Sequence, residues 1–61
     1  MIERFEEIFE EVMEEKDLEW WALYDSSEFD EVERRIVAEF GESVLDSDEY
    51  CDWTYEMSME L

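Results

Sequence analysis

The 61-residue chain has no proline, no histidine, one glycine, one cysteine and only four bases. Each scarcity removes a class of protein. Arg4, Lys16, Arg34 and Arg35 are the whole supply of positive charge, too little to hold a phosphate backbone, so nucleic acid is not a direct partner. The same sign argument removes anionic membranes. With no histidine and Cys51 alone, the chain has neither a zinc constellation nor an internal disulfide. The commonest general base is missing and Gly41 by itself makes no phosphate-cradling loop, so the expectation is a non-enzyme without a cofactor. No apolar run approaches the length of a membrane span or a signal-peptide core, which predicts a cytoplasmic protein. No Pro-, Gly- or Ser-rich linker divides the sequence, and residues 1–61 are expected to form a single acidic domain.

What is present pulls in two directions. There are 22 acids and a formal net charge of -18, yet 46% of the residues are hydrophobic and 16% aromatic. Disordered acidic tails are poor in aromatics, whereas four Phe, three Trp and three Tyr imply a folded core. A domain of this size hides only about 60% of the surface its unfolded chain exposes, so its stability is expected to be a few kcal/mol. Self-repulsion subtracts from that.

Between Ile2 and Glu15, Ile2, Phe5, Ile8, Phe9, Val12 and Met13 recur at three- and four-residue spacing, which predicts an amphipathic helix. From Asp17 to Asp25, Leu18, Trp20, Ala22 and Tyr24 alternate with Glu19, Trp21 and Leu23, the pattern of a strand buried on both faces, although a short helix accommodates the same run. Asp25, Ser26 and Ser27 supply helix-start chemistry for a second helix carrying Phe29, Val32, Ile36 and Phe40 and stopping at Gly41. Val44 and Leu45 suggest a brief strand before a turn at Asp46–Glu49. Cys51, Trp53, Tyr55, Met57, Met59 and Leu61 then alternate strictly with polar residues, as in a strand with one buried face. The expected fold is therefore α+β, in the order α-β-α-β-β: two helices packed on one face of a small, mainly antiparallel sheet of two to three strands.

A run of acids is usually only a solvated face, and position decides whether it is more. In the first helix Glu3, Glu6, Glu7, Glu10, Glu11, Glu14 and Glu15 lie opposite the apolar stripe, with no base between Phe5 and Glu15. They make eight like-charge pairs three or four residues apart, a penalty on the order of 2 to 4 kcal/mol before salt screening. In the second helix, by contrast, Asp30 precedes Arg34 and Glu31 precedes Arg35 by four residues, the stabilising order. The seven glutamates span about 18 Å of helix axis, one charge per ~3 Å, against one phosphate per ~3.4 Å along a strand of B-DNA. Asp52, Glu56 and Glu60, with Asp46, Asp48 and Glu49, form a second expected negative track on the open face of the sheet.

Other motifs are weaker. Asp46 to Asp52 begins like an EF-hand loop, but Cys51 stands where the sharp turn needs Gly and Met57 where a bidentate Glu is needed, so no metal site is expected. Cys51, Met57 and Met59 are expected in the core, and of Trp20 and Trp21 one is expected to fill the core and the other to be half buried. The charge favours a monomer, and a dimer is possible along Trp21 and Leu23, against the repulsion of two such subunits.

In size, charge, aromatic content and the Glu3–Glu15 stripe, the chain resembles the small acidic proteins of phages and mobile elements that imitate DNA, such as anti-CRISPR and anti-restriction proteins and inhibitors of uracil-DNA glycosylase. The resemblance is one of class and matches no motif residue by residue. It implies competitive occlusion of the basic cleft of a nucleic-acid-binding protein of host defence, a CRISPR effector subunit foremost, with both acidic tracks in contact. A restriction enzyme or DNA glycosylase as the target is an alternative, as are an acidic adaptor that shields a basic protein and halophilic adaptation with no partner.

Overall fold

In the computed structural model, which describes residues 1–60, the chain forms four α-helices and one 3-10 helix among the described residues. The spacing of Phe5, Ile8, Phe9 and Val12 builds α1, Ile2–Lys16, with those four side chains buried. Its end is a Schellman-type closure: Asp17 turns into the left-handed region (φ 53°, ψ 48°), and the N–H groups of Asp17 and Leu18 bond the carbonyls of Glu14 and Met13 at 3.3 and 3.1 Å. The second predicted helix is α3, Phe29–Phe40, burying Val32 and Ile36. The Ser26 hydroxyl accepts the Glu28 N–H at 3.2 Å just ahead of it, and Gly41 at φ 95° ends it.

The expected sheet is absent: among the described residues there is no strand, and the domain is all-α. The run expected as a doubly buried strand is α2, Trp20–Tyr24, where helical spacing sends Leu23 fully inward with Trp20 and Tyr24 against the core, and leaves Trp21 outside. Val44 and Leu45 belong to a 3-10 helix, Glu42–Asp46, not to a strand. The alternating segment is α4, Asp48–Glu60; Leu61, which completed the alternation, lies outside the described residues. Ser47 starts α4 by accepting the Tyr50 N–H at 3.3 Å, while Asp48 and Glu49 in the first turn favour the positive end of the helix dipole.

In α4 the period of two becomes two opposite rows, because residues four apart share a helix face. Trp53 is buried and Met57 half-buried, whereas Cys51 is exposed and Tyr55 and Met59 are 64% and 69% exposed. Cys51 and Met59 are therefore not core residues. Neither adjacent tryptophan fills the core: Trp20 is half-buried and Trp21 is 50% exposed, while Trp53 is the central one. Of the two residues expected for a dimer seam, Leu23 is fully buried and Trp21 is exposed.

Helix α1 packs against both α3 and α4. Trp53 sits among Phe5, Phe9, Tyr50 and Phe29, at ring-centroid distances of 5.3, 6.0, 5.9 and 6.5 Å. Short α2 is tied down by the Tyr24 hydroxyl, which donates to the Thr54 carbonyl at 3.2 Å. The Tyr50 hydroxyl donates to Glu33 Oε1 at 3.3 Å; burial, and then the Glu33 charge, push its phenol above the usual range. No polar or charged residue among those described is buried, so the core is wholly apolar and aromatic. None of these helices is long and apolar enough to cross a membrane.

Candidate functional site

The placement of the acids follows from how α1 is used on its two flanks. At about 100° per residue, the buried stripe of Phe5, Ile8, Phe9 and Val12 leaves Glu3, Glu7 and Glu14 near the opposite pole, Glu11 and Glu15 towards α3, and Glu6 towards α4, with Glu10 between pole and α4. The seven glutamates thus wrap about half the helix and do not form one narrow stripe.

The α3 flank is neutralised except at Glu11. Arg4 donates to both carboxylate oxygens of Glu39, Nε to Oε2 at 2.7 Å and Nη2 to Oε1 at 2.8 Å, and reaches Glu7 at 3.4 Å. Arg35 clamps Glu15 with Nη1 and Nη2 at 2.8 and 2.7 Å, and its Nε bonds Glu31 at 2.9 Å. Lys16 meets Glu28 at 2.9 Å. Hydrogen bonds from Arg4 and Arg35 hold the carboxyls of Glu39, Glu15 and Glu31 below the usual glutamate range. The pairing expected within α3 is therefore half right: Glu31 does face Arg35, but Arg34 turns to Glu31 at 3.6 Å, not to Asp30. Two of the seven glutamates expected to stand bare, Glu7 and Glu15, have arginine partners.

The other face is not neutralised. Glu3, Glu6, Glu10 and Glu14 have no ion-pair partner among the described residues, nor has Glu11 on the α3 side or any acid of α4. The second predicted track is corrected in geometry. Asp48, Asp52, Glu56 and Glu60 are an i, i+4 row on one helix, about 6 Å apart along the axis, whereas a strand would space Asp52, Glu56 and Glu60 at about 13 Å. The row drifts about 40° per step, so Asp48 and Asp52 face solvent while Glu60 comes round to α1. Asp46 closes the 3-10 helix, and Asp48 and Glu49 have the helix dipole as a sufficient reason for their positions.

The two tracks converge at one place. Glu6 and Glu10 of α1 and Glu60 of α4 rim a cleft of about 300 Å³ floored by Phe9, Met13, Trp20, Trp53 and Met57. Sequence reasoning missed this cleft because it assigned Glu60 to a sheet; the i, i+4 recurrence of Trp53 and Met57 was the signal that could have found it. The EF-hand-like run is a helix start, and no group of three or more Asp, Glu, Cys or His side chains among the described residues is placed to hold a metal ion. Comparison with family models, with curated proteins and with solved structures gave no match.

Proposed function

We propose that the chain is a DNA-mimicking inhibitor that occupies the basic cleft in which a nucleic-acid-handling protein of host defence, foremost the surveillance complex of a CRISPR system, grips target duplex. The observation that carries this is where the bases go. All four are engaged at the α1–α3 seam or within α3, so the outer face of α1, apart from Glu7 beside Arg4, and the whole of α4 among the described residues present carboxylates without a counter-charge.

Two acid rows about 18 Å long lie on helices in contact, whose axes at such contacts are typically about 8 to 10 Å apart. Binding would be steered by charge, fast at low salt, and would weaken steeply as salt rises. No step of the inhibition requires chemistry by the chain itself.

The test is displacement of a labelled duplex from a CRISPR surveillance complex, a restriction endonuclease and a DNA glycosylase, at several salt concentrations. Because Glu7 sits beside Arg4, the variant to use is Glu3→Gln/Glu10→Gln/Glu14→Gln. It should lose at least about tenfold in affinity for the target and show a shallower salt dependence, while melting at a higher temperature than the wild type. Full affinity in the triple variant would remove α1 from the contact. Equal, weak binding to all three proteins with no duplex displaced would replace inhibition with the shielding of basic proteins by an adaptor.

A further inference from the structure

The cleft between α1 and α4 has what a DNA surface lacks, an aromatic floor. Phe9 and Trp53 meet edge to face at 6.0 Å, and Met13, Trp20 and Met57 are only half-buried around them. Glu6, Glu10 and Glu60 stand at its edge, and no base lines it. About 300 Å³ is the lower limit for small-molecule pockets and suits one side chain.

Charge decides what covers this groove. An anion would meet three carboxylates. A neutral apolar segment would desolvate them without a partner. A second copy of the chain brings -18 of its own, and its bases are already held in ion pairs. A cation on an apolar stem satisfies floor and rim together. Trp is the strongest cation–π partner, a guanidinium is flat enough to lie on an indole while donating sideways to carboxylates, and methionine adapts to a methylene stem.

We propose that this cleft is an anchor site for a single arginine side chain of the partner protein, with its guanidinium on the half-buried Trp20 indole, above the edge of buried Trp53 and beside the carboxylates of Glu6, Glu10 and Glu60. The site does not depend on the chain imitating DNA, since any partner that projects an arginine would fill it.

A two-dimensional NMR titration of the full chain with N-acetyl-arginine amide, its lysine counterpart and the neutral citrulline counterpart, at constant ionic strength, tests the site without any partner. The arginine amide should shift the indole N–H signals of Trp20 and Trp53 saturably, and that of exposed Trp21 less. The citrulline amide should bind at least about tenfold more weakly. Glu10→Gln/Glu60→Gln should weaken the arginine amide by about tenfold, and Glu3→Gln/Glu14→Gln, which removes the same charge elsewhere, should leave it unchanged. Equal responses to arginine and citrulline amides, or equal losses in the two double variants, would overturn the site. Tighter binding of the lysine amide would overturn the assignment to arginine.

Discussion

Along its α3 flank helix α1 is held by Arg4–Glu39, Arg35–Glu15 and Lys16–Glu28; along its α4 flank it is held by Phe5 and Phe9 against Trp53 and Tyr50. Rings join α1 to α3 as well, Phe5 to Phe40 at 5.4 Å and Phe9 to Phe29 at 6.0 Å, so the two flanks share an apolar layer and differ in the charged layer above it. On the first, acids face each other across the seam and three bases sit between them. On the second no base is present, and ring packing alone must outweigh the repulsion of the Glu6, Glu10 and Glu60 carboxylates. The bases are concentrated where they join helices, and the aromatics lie beneath the face that stays charged. A purely solvating use of charge gives no reason for that division.

The largest loss is expected at Trp53. It contacts four other rings and is 4% exposed. Trp53→Ala should destabilise the domain by about 3 to 5 kcal/mol, which is as much as a domain this small has. Near-UV circular dichroism and urea titration should show a chain unfolded, or nearly so, in buffer, with helix recovered in high salt. A cooperative transition close to that of the wild type would mean that the seam, not the ring cluster, holds α1.

Gly41 should come next. Its φ of 95° and ψ of 159° lie where only glycine sits comfortably, and nothing stands within 4 Å of an added Cβ, so Gly41→Ala isolates backbone strain. A loss of about 1 to 3 kcal/mol is expected. Gly41 leads from α3 into the 3-10 helix that carries buried Val44 and ends at the Ser47 cap, so hydrogen exchange should quicken first at the Val44 and Ser47 amides. Protection lost first in α1 instead would place the strain at the seam.

What the sequence could and could not disclose follows the same two flanks. Helices α1 and α3 were legible because three-and-four spacing over more than ten residues has no strand counterpart, and because Gly41 marks a stop. The run from Cys51 onward misled because a period of two contains a period of four: the row of Trp53 and Met57 satisfies a helix as well as a strand. Two local signals favoured helix. Ser47 followed by Asp48 and Glu49 is a cap with acids in the first turn, and Thr54 is the one β-branched residue between Asp48 and Glu60. The expected Val44–Leu45 strand was also too short to pair an eleven-residue strand, which left the Asp17–Asp25 run as its one full-length partner. At the site, the excess of acid on α1 was legible, but the capture of Glu15 by Arg35 twenty residues away was not. No i, i+4 rule sees across helices.

The seam supplies the smallest effect and the sharpest separation of the two flanks. Its ion pairs are exposed, so Arg4→Gln/Arg35→Gln should lower the melting temperature by only a few degrees at neutral pH, and by less as salt is added. Acidification then distinguishes charge from packing. The carboxyls of Glu39, Glu15 and Glu31 are held below their ordinary range, so their stabilising contribution is fully present above about pH 4.3 and is lost as the pH falls through their lowered values. Discharge of the outer acids changes wild type and variant alike and cancels in their difference. The gap in melting temperature should therefore be constant from pH 7 to about pH 5, shrink below about pH 4.3 and close once these three groups are protonated. A gap that persists in acid would show that the methylene stems of Arg4 and Arg35 pack the seam. In that case the arginine stems would extend the apolar layer that Phe40 and Phe29 already give the α3 flank, and the bases would only offset charge.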